Sequence, residues 1–373
     1  LGSLGRHRRR RAASAATGAI RTKGEIVSIL RVMQSFGEPR PTTNPYIVML
    51  RDALVVSPEV EHLPFSWRTA LTGSFDVFHV HWADTLLAGR SRSRRAAKRA
   101  AFVLLLLRLR LGRIAVVRTV HNPGRAPEPG LDGRLSRALE RRADLLIRIS
   151  ATTPEDPRVP SVLIPHGHYR DWFAPMPRSA AVPGRLGYVG LIKPYKGLDT
   201  LMSAYAAAVE RRPDLTLRVA GRPADDGIAA DIRAAEAALP GLEATLRYVD
   251  EAEFAQIVTE STLVVLPYRQ MHNSGAALAA LSLGRAVLVP DNETNRALAQ
   301  EVGEGWVRTF RGDLSADDLI AAVEAAPGAG RGPDLSARGW ADAAARYAAA
   351  YRRARDIRRG APATSTAEEP AHG

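Results

Sequence analysis

None of the 373 residues is cysteine, which removes disulfides, thiolate nucleophiles and cysteine metal sites at once. No apolar run approaches the roughly 18 uninterrupted residues that a membrane-spanning helix needs. The basic, apolar and cleavage regions of a signal peptide are also missing, so cytoplasmic residence is expected. The N-terminal half lacks GxGxxG, which counts against an ordinary dinucleotide-dependent dehydrogenase, and no Walker A loop occurs. Zinc-finger, helix-turn-helix and aromatic RNA signatures are absent, so nucleic acid is not expected as a partner. No tight carboxylate–histidine set is present, and no obligatory metal or bound organic cofactor is expected.

The chain is long for one core, and its 46% apolar content supports two. Net charge is +13. Part of that lies in RHRRRR at 6–11, inside an expected disordered tail over 1–23. A second part is more informative: 90–118 carries ten basic residues and no acidic one, around a leucine run. Such a segment suits the cytoplasmic face of an anionic membrane, or equally a solvated basic helix running into a buried one.

Strand and helix patterns alternate through the chain. The run 25–33 reads as a strand, and the Gly37 turn after it can approach a ligand or simply reverse the chain. Asn44–Pro45 can start a helix. FDVFHVHWAD at 75–84 is a strand that ends in His81, Trp82 and Asp84. IAVVRTVHNPG at 114–124 repeats the arrangement with His121 and Asn122. Two strands delivering polar and aromatic groups at their carboxyl ends indicate a functional rim, whereas His79, facing the other way, reads as structural. SVLIPHGHYRDWF at 161–173 adds His166, His168 and Tyr169. The resulting division is a first domain over 24–173, a proline-rich hinge over 174–184 and a second domain over 185–338. A helix over 339–357 can pack back across the boundary, and 358–373 reads as a disordered tail. Within the second domain, 216–221 and 244–250 read as strands around an alanine-rich helix.

The second domain carries two candidate anion sites. KPYKG at 193–197 places Lys193 and Lys196 beside a tight turn, Lys196 being the stronger phosphate ligand. Lys193 can contact phosphate, pack its stem or face solvent. Arg222, after the strand ending at Gly221, can meet phosphate or nucleotide. TLVVLPYRQMHNSGAALAALSLGRAVLVPD at 262–291 is one strand–loop–helix–strand unit. Its helix begins beside Asn273, Ser274 and Gly275, where free N–H groups and the helix dipole favour an anion. His272 can bind sugar or an outer phosphate, or only start the helix. Glu293, with its neighbours, can contact ribose or sugar hydroxyls, or cap the next helix. Lysine and helix N–H groups together can offset the charge developing on a departing nucleotide diphosphate without a metal.

On these residues the sequence resembles the GT-B nucleotide-sugar glycosyltransferases, especially bacterial family 4, over roughly 25–357. The resemblance implies an α/β architecture of two Rossmann-like domains facing across a cleft, with acceptor on the first and donor on the second. The family's glycine, arginine and lysine become Gly190, Leu191 and Lys196 here. Its donor-motif acids would fall near Met271 and Ala279, while the small-residue character survives through Gly275, Gly284 and Val287. RTVHN maps a donor-sugar contact onto His121, with HVHWAD and HGHY on the acceptor side. The donor implied is a UDP-, GDP- or dTDP-hexose, and the acceptor a carbohydrate or polyprenyl-linked glycan at the cytoplasmic membrane face. Family precedent favours retention, whereas an inverting reaction would use Asp84, His81 or His121 as base. Two rivals remain: a noncatalytic carbohydrate- or membrane-binding protein of this fold, and a sugar-phosphate phosphorylase.

Overall fold

The computed structural model describes residues 19–22, 25–40, 42–89, 91–123, 129–328 and 332–360. The basic run at 6–11 and most of both expected tails lie outside that set. Within the described residues, β1 (Ala19–Thr22) and β2 (Glu25–Ser28) pair as an antiparallel hairpin. The single strand expected over 25–33 is therefore two strands. The first belongs to this hairpin, and only the second, β3, enters one of the six-stranded sheets.

The first sheet is wholly parallel, in the order β4-β3-β5-β6-β7-β8. Its strands are β3 (Leu30–Gln34), β4 (Val60–Leu63), β5 (Val77–Val80), β6 (Ala115–Val120), β7 (Leu145–Arg148) and β8 (Ser161–Leu163). The second, also parallel, runs β11-β10-β9-β12-β13-β14. It comprises β9 (Arg185–Val189), β10 (Thr216–Ala220), β11 (Leu242–Thr245), β12 (Leu263–Val265), β13 (Ala286–Pro290) and β14 (Val307–Phe310). The central strands are continuous apolar runs because crossover helices cover both faces of a parallel sheet. β11 begins before the segment expected over 244–250. Residues 246–250 form a loop, and Asp250 accepts a hydrogen bond from Glu253 N to cap the next helix.

Helices α1 (Pro45–Val55), α2 (Trp67–Thr72), α3 (Arg92–Leu111), α4 (Gly130–Glu140) and α5 (Arg170–Phe173) belong to the first half. The second half holds α6 (Leu198–Arg211), α7 (Asp226–Ala238), α8 (Glu251–Glu260), α9 (Gly275–Ser282), α10 (Glu293–Val302) and α11 (Ala316–Glu324). α1 starts where the sequence predicts, with the Asn44 side chain accepting from Tyr46 N at 3.0 Å and proline at the first helical position. The chain then returns. α12 (Ala343–Arg359) packs on α1 and against β3, β5, β6 and β7. Its alanine face seats Tyr347 and Tyr351 in the core, and the Tyr347 hydroxyl meets that of Tyr46 at 2.9 Å. Among the described residues no helix is long and apolar enough to cross a membrane.

Candidate active site

The carboxyl ends of β5 and β6 place His81 beside His121, with His81 Nδ1 3.1 Å from His121 Nε2. The other ring nitrogen of His81 lies 3.2 Å from Gln34 Oε1, and its backbone N–H donates to Ser35 Oγ. His81 is buried, and desolvation followed by repulsion from His79 holds its pKa well below the ordinary value. Both ring nitrogens of His81 thus have protein partners, while His81 also lines the cavity described next. His121 is half-buried and stacked on Trp82, ring centroids 4.2 Å apart. Burial, then His81, His166 and Arg118, depress its pKa as well. No partner for its Nδ1 occurs among the described residues. Trp82, Asp84, His121 and the exposed Asn122 border a cavity of about 270 Å³ with Arg118 and Arg137. His79 is a core residue, as expected, between Thr119 Oγ1 at 2.8 Å and the Tyr351 hydroxyl at 2.9 Å.

The loop ending in His166, His168 and Tyr169 lies in the seam between the sheets, bonded to Ser282, Arg338 and Trp340. His166 packs under Tyr46, centroids 4.5 Å apart, with burial lowering its pKa to about 4. Tyr169 is buried too, and its N–H donates to Ser282 Oγ on α9. His168 Nδ1 accepts from Arg170 N, and its carbonyl accepts from the Trp340 indole. These residues docked inward because their own backbone groups found partners on the second half, which strand–end patterning does not reveal. Gly37 is exposed, with only Phe65 O near where a Cβ would lie. Nothing at Gly37 demands glycine.

The two anion loops of the second sheet meet. Arg269, in the loop before α9, donates to Pro194 O at 2.7 Å, and its N–H donates to Tyr195 O. A Cβ on Gly197 would fall 2.0 Å from Pro267 O, and φ there is +66°, so glycine allows both the turn and the contact. Gly190 and Gly221 end β9 and β10 back to back: a Cβ on Gly221 would stand 1.8 Å from Gly190 O. The Lys196 ammonium lies 4.8 Å from the Tyr268 ring centroid, and burial, then Lys193, lowers its pKa to about 8. Lys193, close enough to repel it, and Arg222, whose carbonyl accepts from Ile192 N, are both exposed. At α9, Ser274 is the N-cap, accepting from Ala277 N at 3.2 Å. The remaining first-turn N–H groups have no intrahelical partner, as in any helix start. Gly275 lets the Tyr169 hydroxyl approach, and His272 is exposed at the edge of a second, smaller cavity with Asn273, Ser274, Thr294 and His166. Of the alternatives at 291–293, capping is what the structure displays. Asn292 accepts from Asn295 N, Asp291 is ion-paired to Arg296 and Arg311, and Glu293 is exposed in the first turn of α10.

Asn273 then joins the halves, its Nδ2 donating to His121 O at 3.0 Å. Across the same seam, Thr152 Oγ1 and Thr294 Oγ1 are 2.7 Å apart. Among the described residues no group of three or more metal-ligating side chains is gathered.

Comparison with known proteins fits this geometry. Residues 183–326 match the family described as glycosyl transferases group 1. The chain is 43% identical over 328 residues to the GDP-mannose:glycolipid 4-beta-D-mannosyltransferase of Xanthomonas campestris pv. campestris, covering 86% of this chain and 91% of that protein. The chain belongs to the group 1 glycosyltransferases. This glycosyltransferase also shares its fold with solved structures at low identity. One is a glycosyltransferase involved in avilamycin A biosynthesis, at TM-score 0.53 and 15% identity over 89% of this chain and 99% of the other. Another is Anabaena HepE in complex with UDP, at TM-score 0.53 and 13% identity over 89% and 98%. The enzyme is thus a GT-B glycosyltransferase, not a noncatalytic protein that kept the fold. Sequence reasoning missed Gln34, Tyr46 and Tyr351 because each reaches the histidines only through the fold. The buried-facing period of 30–34 was the one available hint of Gln34.

Proposed function

We propose that the enzyme transfers mannose from GDP-mannose to a hydroxyl of a lipid-linked glycan, with inversion, in the synthesis of a surface polysaccharide or glycoconjugate. The 43% identity to the Xanthomonas mannosyltransferase over nearly the whole chain supports the donor and acceptor class. GDP-mannose carries an α-mannosyl bond, so a β-linked product requires inversion. That reading replaces the retention expected from the wider family.

The observation that carries the mechanism is the Nδ1 of His121, which has no partner among the described residues, stands on a cavity wall and is tied through the His121 carbonyl to the start of α9. His121 takes the proton of the acceptor hydroxyl as that oxygen bonds to the anomeric carbon. The bond from that carbon to the diphosphate oxygen breaks, and its electron pair leaves with GDP. Lys196 and the first-turn N–H groups of α9 offset the charge on the departing diphosphate. Trp82 supplies a stacking wall, and Asp84 and Asn122 supply polar contacts for the acceptor sugar.

α3 suits an anionic membrane that presents such an acceptor. Val103, Leu104, Leu107 and Leu111 are 42%, 54%, 47% and 87% exposed, on the helix side away from buried Phe102, Leu105 and Leu109. Exposed Arg92, Arg94, Arg110 and Arg113 flank that stripe. Arg95 and Arg99 bind Asp132 of α4, whose following turns line the cavity. The helix would seat the enzyme so that its acceptor cavity lies close to the headgroups.

The test is a mass-spectrometric screen of GDP-mannose, UDP-glucose, UDP-glucuronate and dTDP-hexoses with a lipid-extracted acceptor pool. Hexose addition from GDP-mannose alone is expected. Transfer from a UDP-sugar with none from GDP-mannose would overturn the donor assignment.

A further inference from the structure

A continuous hydrogen-bonded line runs from the C-terminal helix to the candidate base. Tyr351 of α12 meets His79 Nδ1 at 2.9 Å, and Gln34 Nε2 donates to the Tyr351 hydroxyl at 3.3 Å. The other end of the same amide, Oε1, lies 3.2 Å from His81 Nε2, and His81 Nδ1 lies 3.1 Å from His121 Nε2. Gln34, His79, His81 and Tyr351 are all buried.

We infer that Gln34, oriented by Tyr351, is a positioning residue that fixes the proton on His121 Nε2 and so leaves His121 Nδ1 as the lone pair facing the acceptor. The inference rests on the reading of His121 as the proton acceptor. Donor and acceptor roles propagate in one direction. An amide oxygen has no proton to give, so His81 Nε2 must carry N–H and donate to Gln34 Oε1. Neutral His81 then has its lone pair on Nδ1, and among the described residues the group there to satisfy it is the Nε2–H of His121. Tyr351, accepting from Gln34 Nε2, gives its own proton to His79 Nδ1. His79 in turn donates from Nε2 to Thr119 Oγ1 at 2.8 Å. Every buried donor in the line has an acceptor, and the direction follows from the orientation of the Gln34 amide: a reversed amide would pair the same atoms with every bond running the other way and put the His121 proton on Nδ1.

The arrangement also prepares the next state. When His121 takes a proton at Nδ1 it becomes an imidazolium whose Nε2–H still bonds to His81. Burial, together with the neighbouring His79, keeps His81 neutral and able to accept. The groups facing His121 are His81 from β5, Tyr46 from α1, His166 from the loop after β8, and Trp82 stacked on its face. Arg118 on its own strand adds positive charge. Among these, only the His81 Nδ1 contact is placed to select a tautomer.

The experiment is imidazole nitrogen NMR on the full chain labelled at histidine, beside steady-state kinetics. In the unmutated protein, His81 and His121 should both give the Nε2–H pattern. Gln34→Leu should mix the His121 tautomers and lower kcat about 10- to 100-fold with little change in donor KM. Gln34→Glu, which keeps an acceptor for His81 Nε2–H, should restore the His121 pattern. Tyr351→Phe, which leaves the amide in place but without its orienting partner, should give an intermediate mixture and serves if Gln34→Leu does not fold. An Nδ1–H pattern on His121 in the unmutated protein, or an unaltered pattern in both variants, overturns the inference. Activity surviving His121→Ala would instead overturn the base assignment, a separate readout from the tautomers.

Discussion

Asn273 Nδ2 donates to the carbonyl of His121 at 3.0 Å, linking residues 152 apart in the chain and from different sheets. Asn273 directly precedes Ser274, the cap of α9. The group proposed to accept a proton is therefore held in register with the helix start proposed to receive the diphosphate. In the proposed inverting reaction attack and departure occur on opposite sides of one carbon, so this registration would set the distance the reaction must span.

Asn273→Ala removes that link. Loss of one hydrogen bond at a positioning site corresponds to about a tenfold fall in kcat, near 1.4 kcal/mol. Calorimetry should find GDP binding nearly unchanged. Lost GDP binding with unchanged kcat would make Asn273 a donor ligand instead.

As the proposed diphosphate ligand, Lys196 should make donor binding pH-dependent. Its pKa of about 8 in the folded protein lies below that of a free lysine, chiefly through burial. A bound diphosphate favours the ammonium and raises that pKa. Affinity for GDP should therefore be full below about pH 8 and fall as pH rises through it, approaching tenfold per unit. The stability sign follows from the same shift. The unfolded chain binds more protons between about 8 and the free-lysine value, so this group makes the protein more stable as pH rises across that window. Lys196→Ala should lower GDP affinity about 10- to 100-fold and abolish the pH slope, as titration calorimetry at several pH values will read.

Gly221 and Gly37 should behave oppositely. Gly221→Ala forces a Cβ within 1.8 Å of Gly190 O at φ +151°, so the ends of β9 and β10 must part. A destabilisation of about 2–4 kcal/mol is expected from the clash and strain. At Gly37 the nearest atom to a Cβ would be 3.7 Å away, and Gly37→Ala should leave the melting temperature within a degree or so of the parent's. Thermal denaturation of the pair checks both.

The exposed stripe of α3 predicts lipid selectivity. Leu104→Glu with Leu107→Glu should leave folding and GDP binding intact, because both side chains are exposed. Sedimentation with phosphatidylglycerol vesicles should fall about tenfold or more, while phosphatidylcholine vesicles should bind poorly in both proteins. Equal sedimentation of parent and variant would remove α3 from the membrane account.

Local pattern carried much of this structure. Apolar runs ending in polar residues located β5, β6, β9, β12 and β13, since buried parallel strands are nearly continuous hydrophobic segments. Asn44–Pro45 located the start of α1 through capping chemistry alone. The split at Ile29 was hidden because residues 25–33 are uniformly strand-like, and only pairing partners divide them. His81 and His121 were visible as strand-end residues, but their division of labour was not. That depends on Gln34, one strand away, and on Tyr351, 317 residues further along the chain. The contacts of His166 and Tyr169 with the second half were hidden for a related reason. A strand end marks the rim of its own sheet, whereas the Ser282 contact that turns Tyr169 inward belongs to the other.

The most direct test of the account is the anomeric configuration of the sugar transferred from GDP-mannose, read by NMR of the purified product. A β-mannosyl linkage, lost in His121→Ala while GDP still binds, is the predicted result. An α-mannosyl product would contradict inversion and the base role of His121 together.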